Sequence, residues 1–165
     1  MSQPGGAGTG GDGAGPGPGG SGGSGRSAGR SLTVRALHAG DDLDAELDLR
    51  LRAFGPMTGA VREELLADLR AAIAESRMYG VWDGPQLVGS ARYFDLRQWW
   101  CGKSQPMAGV GGVKIAPEAR GRGIGKKLMT ALVTVMAERG YPLSVLYPAT
   151  AYFYRSLGWE LAGGH

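Results

Sequence analysis

The sequence predicts one domain of α/β class, in the broad sense that includes α+β folds, with a mixed sheet flanked by helices. Strand-like and helix-like apolar patterns alternate along the chain in the order β-α-α-β-β-β-α-β-α-β. The chain has 165 residues, which is the length of one ordinary domain. No internal repeat interrupts this order. We therefore expect helices packed on a sheet that has both parallel and antiparallel strands.

The first 30 residues are expected to form a disordered tail, so that the folded domain spans residues 31–165. Residues 1–30 contain no Leu, Ile, Val or aromatic side chain. Such a segment cannot bury enough apolar surface to offset the entropy lost on ordering. An RNA-binding Gly/Arg tail is the alternative, but Arg26 and Arg30 are its only basic residues. An inert leader or an upstream start codon is therefore favoured.

The first three elements are predicted to be one strand and two helices. Apolar residues alternate over residues 31–37, as in a strand. Residues 41–55 begin with carboxylates and end at a Gly-Pro pair, which suits a helix. Residues 61–76 read as a second amphipathic helix. The residues expected to face the core are Leu43, Leu47, Leu51 and Phe54 in the first helix, and Val61, Leu65, Leu69 and Ile73 in the second.

A hairpin is predicted next, because two apolar runs flank the turn "DGP". The strongest helix prediction covers residues 125–140, where Leu128, Leu132, Val135 and Met136 share one face and Gly140 is placed to cap the C-terminus. The remaining predicted elements are hairpin strands at 77–82 and 86–96, a strand at 107–116, a short buried strand at 142–149, a short helix at 151–158 and the start of a last strand at 159–165.

Composition argues against several classes of function. A net charge of +3 and a pI near 9.2 are too mildly basic to indicate a nucleic-acid partner. Cys101 is the sole cysteine and is interpreted as a passive residue, and with only His38 and His165 beside it we expect no disulfide and no metal site. No apolar run reaches membrane-spanning length, and the N-terminus lacks the pattern of a signal peptide. We therefore expect a cytoplasmic protein that binds neither nucleic acid nor membrane.

The stretch "VKIAPEARGRGIGKKLM" (113–129) concentrates glycine and positive charge at one strand-to-helix turn. Pro117 has no N–H and naturally ends the strand. Gly121, Gly123 and Gly125 permit positive φ and let the backbone approach a ligand closely. The turn leads into a helix N-terminus, where free N–H groups favour an anion. These features predict a pyrophosphate-binding loop; a glycine-rich turn with solvated basic residues is the alternative.

Neither of the two common nucleotide-binding loops fits this turn. A Walker A loop has four residues between its first Gly and the Gly-Lys pair, and Ser or Thr follows that pair. In "GRGIGKK" only three residues lie between them, and Lys127 stands where Ser or Thr would be. The dinucleotide fingerprint fails as well, because Lys126 occupies its third glycine position.

The same stretch closely resembles the acetyl-CoA loop of the GNAT superfamily of N-acetyltransferases. That loop has the pattern Arg/Gln-x-x-Gly-x-Gly/Ala, filled here by Arg120, Gly123 and Gly125, and the order of elements from about residue 31 onward also resembles the superfamily. The segments "RQWW", "LYPAT" and "FYRSLGW" resemble more narrowly the N-terminal domain of the Eis (enhanced intracellular survival) acetyltransferases. The resemblance implies a GNAT acyl-CoA N-acyltransferase fold, acetyl-CoA as the acetyl donor, and an aminoglycoside, polyamine or lysine side chain as the amine acceptor.

The resemblance also implies roles for individual residues. Backbone groups of Val113, Lys114 and Ile115 would pair with the pantetheine arm, and one N–H there would polarise the thioester carbonyl. Tyr154 would be the general acid that protonates the coenzyme A thiolate; an amphipathic core tyrosine is the alternative. The remaining implied cofactor contacts are the N–H groups of Gly121, Arg122, Gly123, Ile124, Gly125 and Lys126 at the pyrophosphate, and Ala149 and Thr150 at the far end of the cofactor.

Two departures from the Eis pattern set further expectations. The C-terminal carboxylate that serves as general base in Eis proteins has no counterpart in a chain that stops at His165, and the last strand of the sheet is missing as well. We therefore expect a fragment, or a sheet completed by another chain as in a homo-oligomer. A non-catalytic acyl-CoA-binding or regulatory module is the alternative function, and a nucleic-acid-binding domain that uses "RGRG" is a third.

The acceptor side is less specified. Trp99 and Trp100 are equally compatible with a pocket wall and with the core beneath the hairpin. The carboxylates that would make the acceptor cleft acidic are Asp41, Asp42, Glu63, Glu64 and Asp68, and solvated helix surfaces are the alternative for most of them.

Overall fold

In a computed structural model of the chain, residues 31–163 are described; the predicted tail, residues 1–30, and residues 164–165 lie outside them. The strands are β1 (Leu32–Ala36), β2 (Met78–Asp83), β3 (Gln86–Trp100), β4 (Lys103–Ile115) and β5 (Leu143–Leu146). The helices are α1 (Leu43–Phe54), α2 (Gly59–Ala74), α3 (Ile124–Glu138) and α4 (Ala151–Arg155), with a 3₁₀ turn at Pro117–Ala119.

The five strands form one mixed sheet in the order β1-β2-β3-β4-β5. The first four strands pair antiparallel with their neighbours, whereas β4 and β5 are parallel. A parallel pair needs a crossover connection, and α3 supplies it. The predicted mixed sheet with flanking helices is confirmed.

Helices cover both faces of the sheet. Ser90 on β3 contacts Glu46 of α1, and the next residue but one, Arg92, contacts Asp68 of α2. Gly89, adjacent to Ser90, faces Ile124 of α3. Because successive residues of a strand point to opposite faces, α1 and α2 lie on one face and α3 on the other.

The prediction for α3 is the most accurate one. Leu128, Leu132 and Met136 are fully or almost fully buried, on the face that the helical spacing indicates. Gly140 has a φ of 81°, its N–H donates to Ala137 O, and the N–H of Tyr141 donates to Met136 O. These two bonds are those of a Schellman cap, which confirms the predicted role of Gly140.

The buried face of α1 differs from the predicted one. Leu47 is buried as expected, but Phe54 is 58 % exposed and Leu51 is also exposed, whereas Leu49 and Glu46 are fully buried. The apolar spacing predicts the wrong face because the buried carboxylate of Glu46, which has partners on the sheet, occupies part of the core-facing side of α1. In α2, Leu69 and Ile73 are buried, but Val61 at its N-terminus is exposed.

β3 and β4 are longer than the strands predicted at 86–96 and 107–116, and they form a second hairpin that was not predicted. Trp100 pairs with Lys103 around Cys101 and Gly102, which have φ values of 48° and 75°, as in a type I′ turn. Residues 97–106, the hairpin arm, extend past the pairing of β3 with β2 and of β4 with β5. Trp99 and Trp100 are 71 % and 61 % exposed there, so the core alternative is wrong for both.

Two predictions near the C-terminus are also wrong. The strand predicted as buried is shorter, and Val145 of β5 is 43 % exposed because β5 is the outer strand of the described sheet. No strand forms over residues 159–163. The N–H of Trp159 donates instead to Tyr154 O at 3.2 Å, and the indole packs edge-on against the Tyr154 ring.

Candidate functional site

The candidate site lies where β4 and β5 diverge. These strands pair only from Met107 to Val110 on β4, although β4 continues to Ile115. The register with β3 shifts between Ser90 and Arg92, and Gly112 opposite has a φ of 62°. This is a β-bulge, which bends the strand that carries it. Beyond Val110, the edge of β4 that faced β5 has no strand partner within residues 31–163.

A groove of about 390 Å³ lies along this free edge and is closed by the glycine-rich loop and α4. Most of the predicted cofactor residues line it, whereas Lys114, Arg122 and Ala149 do not. Phe153 and Ala119 line it without having been predicted. Phe153 packs against the backbone at Gly125, where an added Cβ would lie 3.3 Å from the ring. The lining residues are Val113, Ile115, Ala119, Arg120, Gly121, Gly123, Ile124, Gly125, Lys126, Thr150 and Phe153.

The loop presents backbone N–H groups that are free to bind a ligand. Gly121 and Gly123 have φ values of 76° and 73°, which L side chains rarely adopt. Within the described part of the chain, no N–H from Gly121 to Lys126 donates a hydrogen bond, and the first bonded one is Lys127 N–H, to Gly123 O at 3.0 Å. Free N–H groups at the N-terminus of a fifteen-residue helix favour an anion.

The four basic side chains of the loop divide into two pairs. Arg120 and Lys126 line the groove. Arg122 instead pairs with Asp83 at the end of β2, with its guanidinium nitrogen 2.7 Å from the carboxylate oxygen, and Lys127 donates to the carbonyl of Leu32. One pair therefore adds positive charge at the groove, and the other fastens the loop to the sheet.

Lys114 points away from the groove. Val113 and Ile115 line the groove, so the residue between them faces α1, where it forms a buried ion pair with Glu46. Burial lowers the pKa of Lys114, and the neighbouring Glu46 carboxylate opposes that shift.

Tyr154 is a buried residue of α4. Its ring packs edge-on against Phe153 and Trp159, with centroid distances of 5.0 and 6.2 Å. Burial raises the pKa of its phenol, so the hydroxyl keeps its proton through neutral pH. The hydroxyl makes no hydrogen bond with any residue in 31–163, and Tyr154 itself does not line the groove, although its neighbour Phe153 does.

Three of the five carboxylates considered for an acidic acceptor cleft have partners in the fold. Asp41 lies 2.6 Å from Arg35, whose guanidinium lowers the pKa of that carboxyl to about 2. Asp42 caps the N-terminus of α1, and Asp68 pairs with Arg92 at 2.5 Å. Two of the five carboxylates are therefore paired with arginines, and a third caps a helix.

Every helix in the described range is too short or too polar to cross a lipid bilayer. Across the same residues, no three His, Cys, Asp or Glu side chains are grouped so that they could hold a metal ion.

Known proteins share this fold. A crystal structure of a GCN5-related N-acetyltransferase from Kribbella flavida superimposes with a TM-score of 0.75 and 40 % identity, over 78 % of this chain and 32 % of that one. An uncharacterized N-acetyltransferase from Streptomyces avermitilis is 33 % identical over 123 residues, 73 % of this chain and 29 % of the relative. N-acetyltransferase Eis from Mycobacterium tuberculosis is 33 % identical over 81 residues, which are 48 % of this chain and 20 % of Eis.

The chain thus spans less than a third of the length of these three proteins. The family model described as "Acetyltransferase (GNAT) domain" matches residues 33–162, almost the whole described structure. The chain therefore belongs to the GNAT acetyltransferase family.

Proposed function

We propose that the chain is an acetyl-CoA-dependent N-acetyltransferase that acetylates a primary amine. Within the GNAT family, we propose that it is of the Eis type. The observation that carries the proposal is the run of unbonded backbone N–H groups from Gly121 to Lys126, in a loop of which every residue but Arg122 lines the groove. The N-acetyltransferases among its relatives support the same reaction.

The two parts of acetyl-CoA would occupy different parts of the groove. The loop N–H groups would bind the diphosphate, with Arg120 and Lys126 adding charge. The pantetheine arm would lie along the free edge of β4 at residues 113–115, where its amides replace the missing strand partner. Phe153 of α4 and Thr150, the residue just before that helix, would contact the cofactor, and Ala149 precedes Thr150 in sequence.

The reaction follows from this placement. The amine nitrogen attacks the thioester carbonyl carbon while a backbone N–H of β4 stabilises the charge that develops on the carbonyl oxygen. The C–S bond then breaks, and the coenzyme A thiolate takes a proton from the phenol of Tyr154. The proton lost by the amine goes to water in this scheme. In this scheme a side-chain movement has to bring the Tyr154 hydroxyl to the sulfur, because Tyr154 does not line the groove.

Substitution of Gly123 tests the cofactor site. Gly123→Glu places a carboxylate at the mouth of the loop, so it should abolish acetyl-CoA binding measured by calorimetry. Gly102→Glu is the matched control, because Gly102 has nearly the same φ, 75° against 73°, and equally open space around it. Unchanged affinity in Gly123→Glu, or equal loss in both variants, would contradict the proposal.

The acceptor is proposed to be an aminoglycoside, a polyamine or a lysine side chain. A thiol-release assay with acetyl-CoA over these three classes distinguishes them. A second candidate function is a non-catalytic acyl-CoA-binding module, which is favoured by the position of Tyr154 outside the groove. That candidate predicts acetyl-CoA binding with no thiol release for any amine.

A further inference from the structure

We propose that the buried ion pair of Glu46 and Lys114 is a positioning device that holds the β4 bulge in the shape needed to receive pantetheine. The inference rests on the proposed acetyl-CoA site and concerns two residues that line no part of the groove. It assigns a role to a buried charge cluster that the reaction itself does not use.

The cluster joins three elements at one point. Glu46 of α1 is fully buried, and its Oε1 lies 2.5 Å from Lys114 Nζ of β4. The hydroxyl of Ser90 on β3 donates to the other carboxylate oxygen at 2.8 Å. Lys114 Nζ also donates to the carbonyl of Gly112 at 3.3 Å. One carboxylate thus fixes a lysine whose other contact is the backbone of the bulge.

The cluster lies directly behind the free edge of β4. Ser90 and Lys114 are direct cross-strand partners, and the register shift follows immediately after them. Gly112 is the residue of the bulge with positive φ, and Lys114 holds its carbonyl. Because Val113 and Ile115 face the groove while Lys114 faces α1, the backbone between the cluster and the groove is a single strand thick.

A purely structural role does not account for charge at this place. Apolar side chains of similar size usually stabilise a core at least as well as a buried ion pair does, because ions lose their hydration. An apolar pair, however, cannot hold a particular carbonyl in a particular direction. Burial lowers the pKa of Lys114, and the neighbouring Glu46 carboxylate opposes that shift.

The test separates the two halves of the cofactor. In the variant Glu46→Gln/Lys114→Met, an amide oxygen remains for Ser90, no charge is left unpaired, and the bond to Gly112 is lost. The dissociation constant of acetyl-CoA should rise on the order of tenfold, as expected for loss of one well-placed contact. The affinity for 3′-phospho-ADP, which carries the diphosphate without pantetheine, should not change.

A control and a second measurement keep the test decisive. Asp68→Asn removes another sheet-to-helix ion pair, that with Arg92, and should leave both affinities unchanged. Hydrogen exchange at residues 111–115 of the ligand-free variant should be faster than in the wild type. If the double variant does not fold, Glu46→Gln/Lys114→Leu replaces it with the same expectations, because leucine also lacks a donor for the Gly112 carbonyl.

Each outcome separates the two proposals. Unchanged acetyl-CoA affinity in the folded double variant, or equal weakening of both ligands, would overturn the positioning role. Wild-type protein that fails to bind acetyl-CoA would instead overturn the proposed function. In that case, unaltered exchange at 111–115 in the double variant would independently rule out control of the bulge.

Discussion

Tyr154 is the single residue on which the proposed chemistry depends most. Tyr154→Phe removes only the hydroxyl, and the ring contacts with Phe153 and Trp159 remain. We expect kcat for thiol release to fall by roughly 10²–10⁴-fold with the acetyl-CoA dissociation constant unchanged. Tyr152→Phe is the matched control, because Tyr152 belongs to the same helix and is exposed.

The pH dependence of the wild type gives a second readout. Burial raises the pKa of Tyr154 above its ordinary value of 10.0, so the acid form persists below pH 10. The rate should therefore show no loss attributable to this group as pH rises to 10, and it should decline only above that pH. Retention of full kcat in Tyr154→Phe would remove the residue from the mechanism.

Some residues of the candidate site could be predicted from the sequence, and the orientation of others could not. Gly121 and Gly123 were predictable, because their positive φ leaves glycine as the natural choice. The orientation of the Arg122 side chain was not predictable, since its partner Asp83 lies 39 residues earlier and is brought near only by the fold. Arginine in a basic loop does not reveal whether it contacts the ligand or fastens the loop.

The helices differ in the same way: the buried face of α3 can be predicted from the sequence, and that of α1 cannot. The pattern of α3 predicts its buried face, because every core-facing residue of that helix is apolar. The pattern of α1 does not, because Glu46 is buried through a pairing with Lys114 that is 68 residues away in sequence. A buried carboxylate is indistinguishable from a surface one until its partner is placed. The β4 bulge is hidden for the same reason, since the sequence shows glycines but not their φ values.

The turn of the β3–β4 hairpin carries local strain. Cys101 has a φ of 48°, a conformation that Asn and Gly adopt far more readily in type I′ turns. Cys101→Asn should therefore stabilise the protein by about 0.5–1 kcal/mol, seen as a higher urea midpoint at an unchanged slope. Cys101→Ser is the control and should give little or no gain. Equal midpoints for Asn and Cys would show that the turn is not strained.

At the scale of the whole molecule, the exposed face of β5 predicts association. β5 is the outer strand of the sheet in residues 31–163, and Val145 on it is exposed. Unpaired strand edges tend to pair with other chains. We expect sedimentation velocity to show concentration-dependent association of the chain, weakened by Val145→Lys.

Val133→Lys on α3 is the control for that experiment, because Val133 is an exposed apolar residue outside the sheet. It should leave the association unchanged. A monomer whose sedimentation does not vary with concentration would contradict a role for this edge.

The hairpin arm has a practical consequence. Cys101, the only cysteine of the sequence, lies exposed at its tip, beside two exposed indoles and apart from every residue that lines the groove. A maleimide dye should therefore attach at one defined atom, with the proposed acetyl-CoA groove left untouched. Because neighbouring tryptophans quench many fluorophores, the brightness of such a label would report directly when another molecule covers the arm.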